Sequence, residues 1–343
     1  MTVVIRTDAS AEIGSGHVAR CAVLAQMAVS RGHRAKIVGS GISPELATWL
    51  QGQGLDVVPR PSMPLETDSS WTSRFTQDLR SGDWLVVDHY GLDASWELSV
   101  DRGSGRLLVI DDLANRPHVC DALLDVGMHV LDGNPYAHLV PDKAQLFFGP
   151  GYALVREEFD KVRPRQRSGA ITRILVYLGG GSNSGAALQK IARALEIRDL
   201  KTLSIVFLAS PGDLQEISIF LERNPEFKGI SPMVGMADLL DWADLVIGTC
   251  GTSTWERLLL GVPSVCLTTA ENQRSDAELL ATAGAIVNLG DLDGLRESDI
   301  SKEIGRLLES PSSVRAISEA GRSVMEGRAD ARRQLFGLFA DPH

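Results

Sequence analysis

The chain is poor in the residues and runs that define several protein classes. It has four cysteines, Cys21, Cys120, Cys250 and Cys266, scattered and with no C-x-x-C pair. That excludes a disulfide framework or a cysteine zinc module and fits reduced thiols in a cytoplasm. No apolar run reaches the ~18–20 residues needed to span a bilayer. The opening MTVVIRTDAS carries Arg6 and Asp8 beside its first apolar patch. It therefore lacks the longer apolar stretch of a signal peptide. Basic runs are missing too: 34 Lys and Arg stand against 44 Asp and Glu, a net charge of −10. Such a chain is not expected to bind nucleic acid or an anionic membrane. It can still bind a phosphate ligand, because a few helix N-termini are enough for that. A P-loop G-x-x-x-x-G-K-[ST] and a G-x-S-x-G elbow are both absent, which disfavours ATP hydrolysis and α/β-hydrolase esterase chemistry.

What is present is an ordinary globular composition, 44% apolar and 23% charged over 343 residues. That length makes two domains the natural expectation. Short β-branched runs alternate with longer amphipathic stretches. The strand candidates are Val3–Arg6, Lys36–Val38, Trp84–Asp88, Leu107–Ile110, Ile174–Leu178, Ser204–Leu208, Leu245–Ile247 and Ser264–Leu267. Most are continuously apolar, as parallel strands covered on both faces must be. Helices are expected at Val18–Val29, Ala186–Leu195, Met236–Trp242 and Thr254–Leu260. Alternating β and α elements imply parallel sheets with right-handed crossovers. The charged stretch Arg156–Arg173, with Pro164 and Gly169, reads as a linker. After it the pattern of strand, glycine loop and helix restarts. The expectation is an α/β protein of two Rossmann-like parallel-sheet domains, residues 1–160 and 168–343, facing each other across a cleft. Ligands of such sheets sit beyond the strand C-termini.

In the first half, Gly14-Ser15-Gly16 allows a tight turn and a close backbone approach. His17 follows in the first turn of a helix, where the helix dipole disfavours imidazolium. A neutral imidazole facing a cleft can take a proton from water; a polar capping residue without chemistry is the alternative. Gly14-x-Gly16-x-x-Ala19 also fits a dinucleotide fingerprint in form, but about eight residues separate it from the strand, where a true fingerprint turns at once. Three strands end in acids: Asp8, Asp88 with His89 and Tyr90, and Asp111 with Asp112. In a parallel sheet they share one edge, either as a sugar-binding wall or as N-caps of the following helices. No ligand spacing supports a metal at Asp88, His89 and Asp111. The sugar-side candidates are Asp8, Gly14, Gly16, Arg20, Asp88 and Tyr90.

In the second half, the strand LVI leads into Gly248-Thr249-Cys250-Gly251-Thr252-Ser253-Thr254 and then a helix. Backbone N–H groups and hydroxyls at such a turn suit a diphosphate. Gly251, Thr252, Ser253 and Thr254 are the candidates, with Glu256 as acceptor for ribose hydroxyls. A second glycine loop supplies Gly180, Gly181 and Ser182, and the segment after the strand SVCL supplies the amides of Asn272 and Gln273.

RTDASAEIGSGHVARC near the start, DHYGLD at 88–93 and MADLLDWADLVIGTCGTSTWERLLLGVPSV with ENQ at 236–273 resemble the UDP-sugar hydrolases of pseudaminic acid biosynthesis. Those enzymes act on UDP-2,4-diacetamido-2,4,6-trideoxy-β-L-altropyranose. The third motif is also similar in style to the transferase that adds N-acetylglucosamine to the peptidoglycan lipid intermediate. The resemblance implies the GT-B fold, UDP held mainly by the second domain, His17 placed to activate water and Tyr90 near the sugar. It implies hydrolysis at the sugar C1; attack by water opposite a departing UDP would invert that carbon. The scheme requires no metal and no cofactor. The expected partner is a UDP-linked amino sugar; the sequence does not fix the oligomeric state, with a monomer favoured. A GT-B glycosyltransferase and a non-catalytic sugar-nucleotide-binding protein are the competing readings.

Overall fold

The computed structural model describes residues 1–9, 14–61, 63–179, 184–198, 200, 202–231 and 235–340. The chain divides into two compact units, Met1–Leu154 with Gly327–His343, and Val155–Glu326.

The first unit is built on seven strands: β1 (Thr2–Thr7), β2 (Arg34–Gly39), β3 (Asp56–Pro59), β4 (Trp84–Asp88), β5 (Arg106–Ile110), β6 (Ala122–Asp125) and β7 (Gln145–Phe148). They form one sheet in the order β3-β2-β1-β4-β5-β6-β7. Its pairs are all parallel. The connecting helices are α1 (Gly16–Val29), α2 (Pro44–Gly52), α3 (Asp68–Thr76) and α4 (Ala94–Ser99). Val3, Val4 and Ile5 of β1 and Leu85, Val86 and Val87 of β4 are all buried. A strand covered on both faces can carry a continuous apolar run, as these two do at 3–5 and 84–87.

The second unit holds β8 (Arg173–Tyr177), β9 (Ser204–Leu208), β10 (Lys228–Ile230), β11 (Leu245–Thr249), β12 (Ser264–Thr268) and β13 (Val287–Asp291). Their order is β10-β9-β8-β11-β12-β13, again parallel. Its helices are α5 (Glu157–Lys161), α6 (Ser184–Glu196), α7 (Pro211–Glu216), α8 (Ser218–Arg223), α9 (Met236–Trp242), α10 (Ser253–Leu259), α11 (Arg274–Thr282), α12 (Glu297–Leu308) and α13 (Pro311–Val324). The last helix, α14 (Arg328–Gly337), belongs to the first unit. Each sheet has one point where the strand order reverses, between β1 and β4 and between β8 and β11. Ligands of open parallel sheets bind outside the strand C-termini at these points.

All eight strands expected from sequence are present, and β3, β6, β7, β10 and β13 are additional. Four of those five are the sheets' outermost strands, β3, β7, β10 and β13, and apart from Val57 and Phe147 their residues are only partly covered or exposed. The boundaries differ from 1–160 and 168–343 in two places. Residues from Val155 onward already group with the second unit. Within the charged stretch, Arg165 donates to the carbonyls of Asp241, Trp242 and Ala243 and pairs with Asp244 at 2.6 Å. These are end groups of α9 that lack helical partners, so the stretch caps a helix instead of running free. The C-terminal residues, expected in the second domain, pack on the first sheet. Trp84 Nε1 donates to Leu338 O at 3.0 Å, and the Trp84 and Phe339 rings meet edge to face. His33 Nε2 lies 2.9 Å from Phe339 O.

Trp84→Phe keeps most of the ring volume but leaves the Leu338 carbonyl without its donor. Urea unfolding should show a loss of ~1–3 kcal/mol, and amide exchange in α14 should quicken. Unchanged exchange there would mean that the indole N–H does not anchor the C-terminal helix.

Candidate functional site

The switch point of the first sheet gathers most of the first-half candidates. Thr7 at the end of β1 pairs with Asp88 at the end of β4. Gly14, at φ +71°, adopts the left-handed backbone that glycine permits in the chain leading to α1. His17, Arg20 and Cys21 then project from one face of α1, three and four residues apart. All three reach Asp88. His17 Nδ1 lies 2.5 Å from Asp88 Oδ1. Arg20 grips the same carboxylate from two nitrogens, Nη2 to Oδ1 at 2.6 Å and Nε to Oδ2 at 2.7 Å. The Cys21 thiol adds a weaker contact at 3.4 Å.

The Asp88 side chain has no exposure to solvent. Burial opposes its ionisation, but the Arg20 guanidinium and His17 outweigh that and hold the carboxyl far below the usual carboxylate range. Arg20 Nη2 is also 3.2 Å from His17 Nδ1, because both groups converge on one oxygen. With its proton on Nδ1, the imidazole donates to Asp88. The neutral ring then carries its lone pair on Nε2.

Arg20 Nη1 donates to Asp112 Oδ2 at 2.9 Å, and the Tyr90 hydroxyl reaches the same oxygen at 3.3 Å. Tyr90 stands edge-on to the imidazole at 4.6 Å. Burial first, and then Asp112, push its hydroxyl above the ordinary value, so it remains a donor. Arg20, expected on the sugar side, is occupied with two carboxylates. Asp8 is also engaged. It accepts from Arg6 and from Ser40 N at 2.7 Å, with His89 Nε2 at 3.2 Å. Burial works against its charge, but His89 and Arg6 prevail and its carboxyl is held low. Asp111 accepts from the Tyr136 hydroxyl at 2.9 Å and Ala114 N at 2.9 Å, and Arg116 lies 2.7 Å away. Asp93 caps α4 through Ser95 N at 2.9 Å. Among the described residues, no group of three or more His, Cys, Asp or Glu is placed to hold a metal ion.

At the second switch point, β11 ends at Thr249, whose hydroxyl donates to Leu178 O at 3.1 Å. Gly251, Thr252 and Ser253 are half-buried and so reachable, whereas Thr254 and Glu256 are buried. Thr252 precedes α10 without spending its side chain on a cap. The Thr254 hydroxyl faces inward, accepting from Arg257 at 2.7 Å. Glu256 is held in a two-point pair by Arg156, Nε to Oε1 at 2.8 Å and Nη2 to Oε2 at 2.9 Å. Each carboxylate oxygen keeps a further lone pair for a hydroxyl. Gln273 Oε1 accepts from Thr269 N at 3.1 Å, and Asn272 is exposed beside it. Gly180, Gly181 and Ser182 lie outside the described residues.

Arg156 and Arg257 are site residues that do not stand among the sequence candidates. Arg156 was hidden in the charged stretch. Arg257 carried a signal, a lone cation inside the apolar run WERLLLGV.

Residues 174–334 match the glycosyltransferase family 28 C-terminal domain. The chain resembles the UDP-2,4-diacetamido-2,4,6-trideoxy-β-L-altropyranose hydrolase of Campylobacter jejuni. The two are 27% identical over 284 residues, covering 83% of this chain and 97% of that protein. Among solved structures it is similar to MurG of Acinetobacter baumannii, with a TM-score of 0.63, 14% identity, and 98% and 99% of the two chains covered. It is also similar to LpCGTa in complex with UDP, with a TM-score of 0.67, 15% identity, and 99% of each chain covered. These likenesses show the fold, which is GT-B. No helix among the described residues is long and apolar enough to cross a membrane.

A carboxyl with a lowered folded value stabilises above the unfolded value, near 4, and loses that contribution as pH falls toward the folded value. Asp88→Asn should therefore lower stability at pH 7, by about 3 kcal/mol for a broken buried pair. The gap to the parent protein should narrow as pH falls below about 4. Urea titrations at pH 7, 4 and 3 check this, and a gap that does not change with pH would contradict it.

Proposed function

We propose that this protein is a UDP-sugar hydrolase that releases UDP and a free amino sugar by attack of water on the anomeric carbon. The observation that carries this reading is the His17–Asp88 contact. A ring that donates Nδ1–H to a buried carboxylate offers Nε2 to a water molecule and can take its proton. Asp88 would then stabilise the imidazolium that forms. Arg20 keeps Asp88 ionised, so the proton stays on the ring. Tyr90, protonated and edge-on to His17, is suited to hydrogen-bond a sugar hydroxyl or acetamido group, with Gly14 and Gly16 completing the sugar side.

A glycosyl diphosphate already carries a good leaving group, so the remaining task is to hold UDP and stabilise its charge. The turn Gly251–Thr254, with Gly180, Gly181 and Ser182, would take the diphosphate. Glu256 would accept ribose hydroxyls, with Asn272 and Gln273 on the nucleotide. The likeness to the Campylobacter jejuni hydrolase supports the substrate class, a UDP-linked 2,4-diacetamido-trideoxy sugar of the pseudaminic acid type. The match of 174–334 to a glycosyltransferase family domain favours a second reading, transfer of the sugar to an alcohol acceptor.

Incubating UDP-sugars without any acceptor separates the two. The hydrolase releases stoichiometric UDP and free sugar, first seen by NMR as the inverted anomer; a transferase releases little of either. His17→Ala should reduce turnover ~100- to 10,000-fold while UDP affinity is kept. Near-normal turnover of that variant would remove His17 from the role of base.

A further inference from the structure

Arg257 has no exposure to solvent. Its Nη2 donates to Thr249 O at 2.5 Å and to Thr254 Oγ1 at 2.7 Å, buried residues that flank the reachable Gly251, Thr252 and Ser253. Its Nε and Nη1 are buried without hydrogen-bond partners among the described residues. Gly248 makes room for it, since a Cβ there would sit 2.5 Å from Arg257 Nη1 and 2.5 Å from Tyr177 O. A guanidinium keeps its charge at any pH at which a protein is folded. A buried charge is normally paired or bound to a counter-ion. Yet among the described residues no carboxylate forms an ion pair with Arg257. Glu256, next in the chain, is taken by Arg156. The nearby thiols supply no anion either: burial pushes Cys250 and Cys266 above their ordinary values and outweighs Arg257, which favours their thiolates and contacts that of Cys266.

We propose that Arg257 is a positioning residue for the diphosphate, its buried charge, which meets no carboxylate among the described residues, being balanced by the anion bound at the turn from Thr249 to Thr254. This rests on the nucleotide reading given above. Arg257 does not itself touch the phosphates. It fixes the Thr249 carbonyl and the Thr254 hydroxyl from behind and adds its field to the turn. The class of ligand it selects is a dianionic or trianionic phosphate, in preference to a neutral nucleoside.

The test compares the parent protein with Arg257→Lys and Arg257→Met, using calorimetry with UDP and uridine and melting curves with and without inorganic pyrophosphate. Arg257→Met should weaken UDP about 10- to 30-fold, as expected for one unit charge acting through a protein interior. Uridine affinity should hold, and Arg257→Lys should restore most of the preference for UDP. Without ligand, Arg257→Met should melt at or above the parent temperature, because a buried unpaired cation is gone. Pyrophosphate should raise the melting point of the parent and not of this variant. An arginine that only braces the fold would give the opposite pattern, with a lower melting point and UDP and uridine weakened together, and that result overturns the proposal. If the parent protein binds pyrophosphate but not UDP or uridine, the nucleotide reading fails while the role of Arg257 as an anion anchor stands. If pyrophosphate stabilises parent and variant equally, the role of Arg257 fails whatever UDP does.

Discussion

A carboxylate sealed from water sets the geometry of the first unit. An isolated buried anion is too costly to keep, so Asp88 persists only because donors surround it. Those donors are the groups whose positions matter for chemistry. Arg20 brings two nitrogens, and His17 brings the one ring nitrogen that can be given away without loss of the other. The register of the sheet makes this possible by ending β4 at Asp88, beside Thr7 at the end of β1. Moving α1 by one residue would turn His17 and Arg20 away from the carboxylate together. The constraint also reaches outward, because Arg20 carries the same grip to Asp112 and thereby to Tyr90.

The second unit treats charge differently at the matching point of its own sheet. Glu256 and Arg156 neutralise one another in a nearly closed pair, while Arg257 is an enclosed cation whose hydrogen-bond acceptors among the described residues are neutral. One unit thus keeps its charges balanced around a ring that can shuttle a proton. The other holds one positive charge in reserve beneath a turn of reachable backbone and hydroxyl groups.

Much of this could be read from the sequence, for physical reasons. Runs such as VVI at 3–5 and LVI at 245–247 are continuously apolar because both faces of a central parallel strand are covered, so the inner strands stood out. KGI and QLFF did not, since outer strands are short and partly wet. The spacing of His17, Arg20 and Cys21 marked one helix face, but nothing in it named Asp88, 67 residues beyond Cys21, as the shared partner. Strand-end acids look alike in sequence. Only the fold separates Asp111, which ties down a turn, from Asp88, which holds an imidazole. Arg165 looked like part of a solvated linker because its partners are carbonyls of a distant helix end, and backbone acceptors leave no trace in composition.

The account depends on which nitrogen of His17 carries the proton when the ring is neutral. Nitrogen-15 NMR of the labelled imidazole, with UDP bound, reads this directly. A protonated Nδ1 and a bare Nε2, reversed or scrambled in Asp88→Asn, is the predicted result. A neutral ring protonated on Nε2 would leave no acceptor for water and would contradict the account.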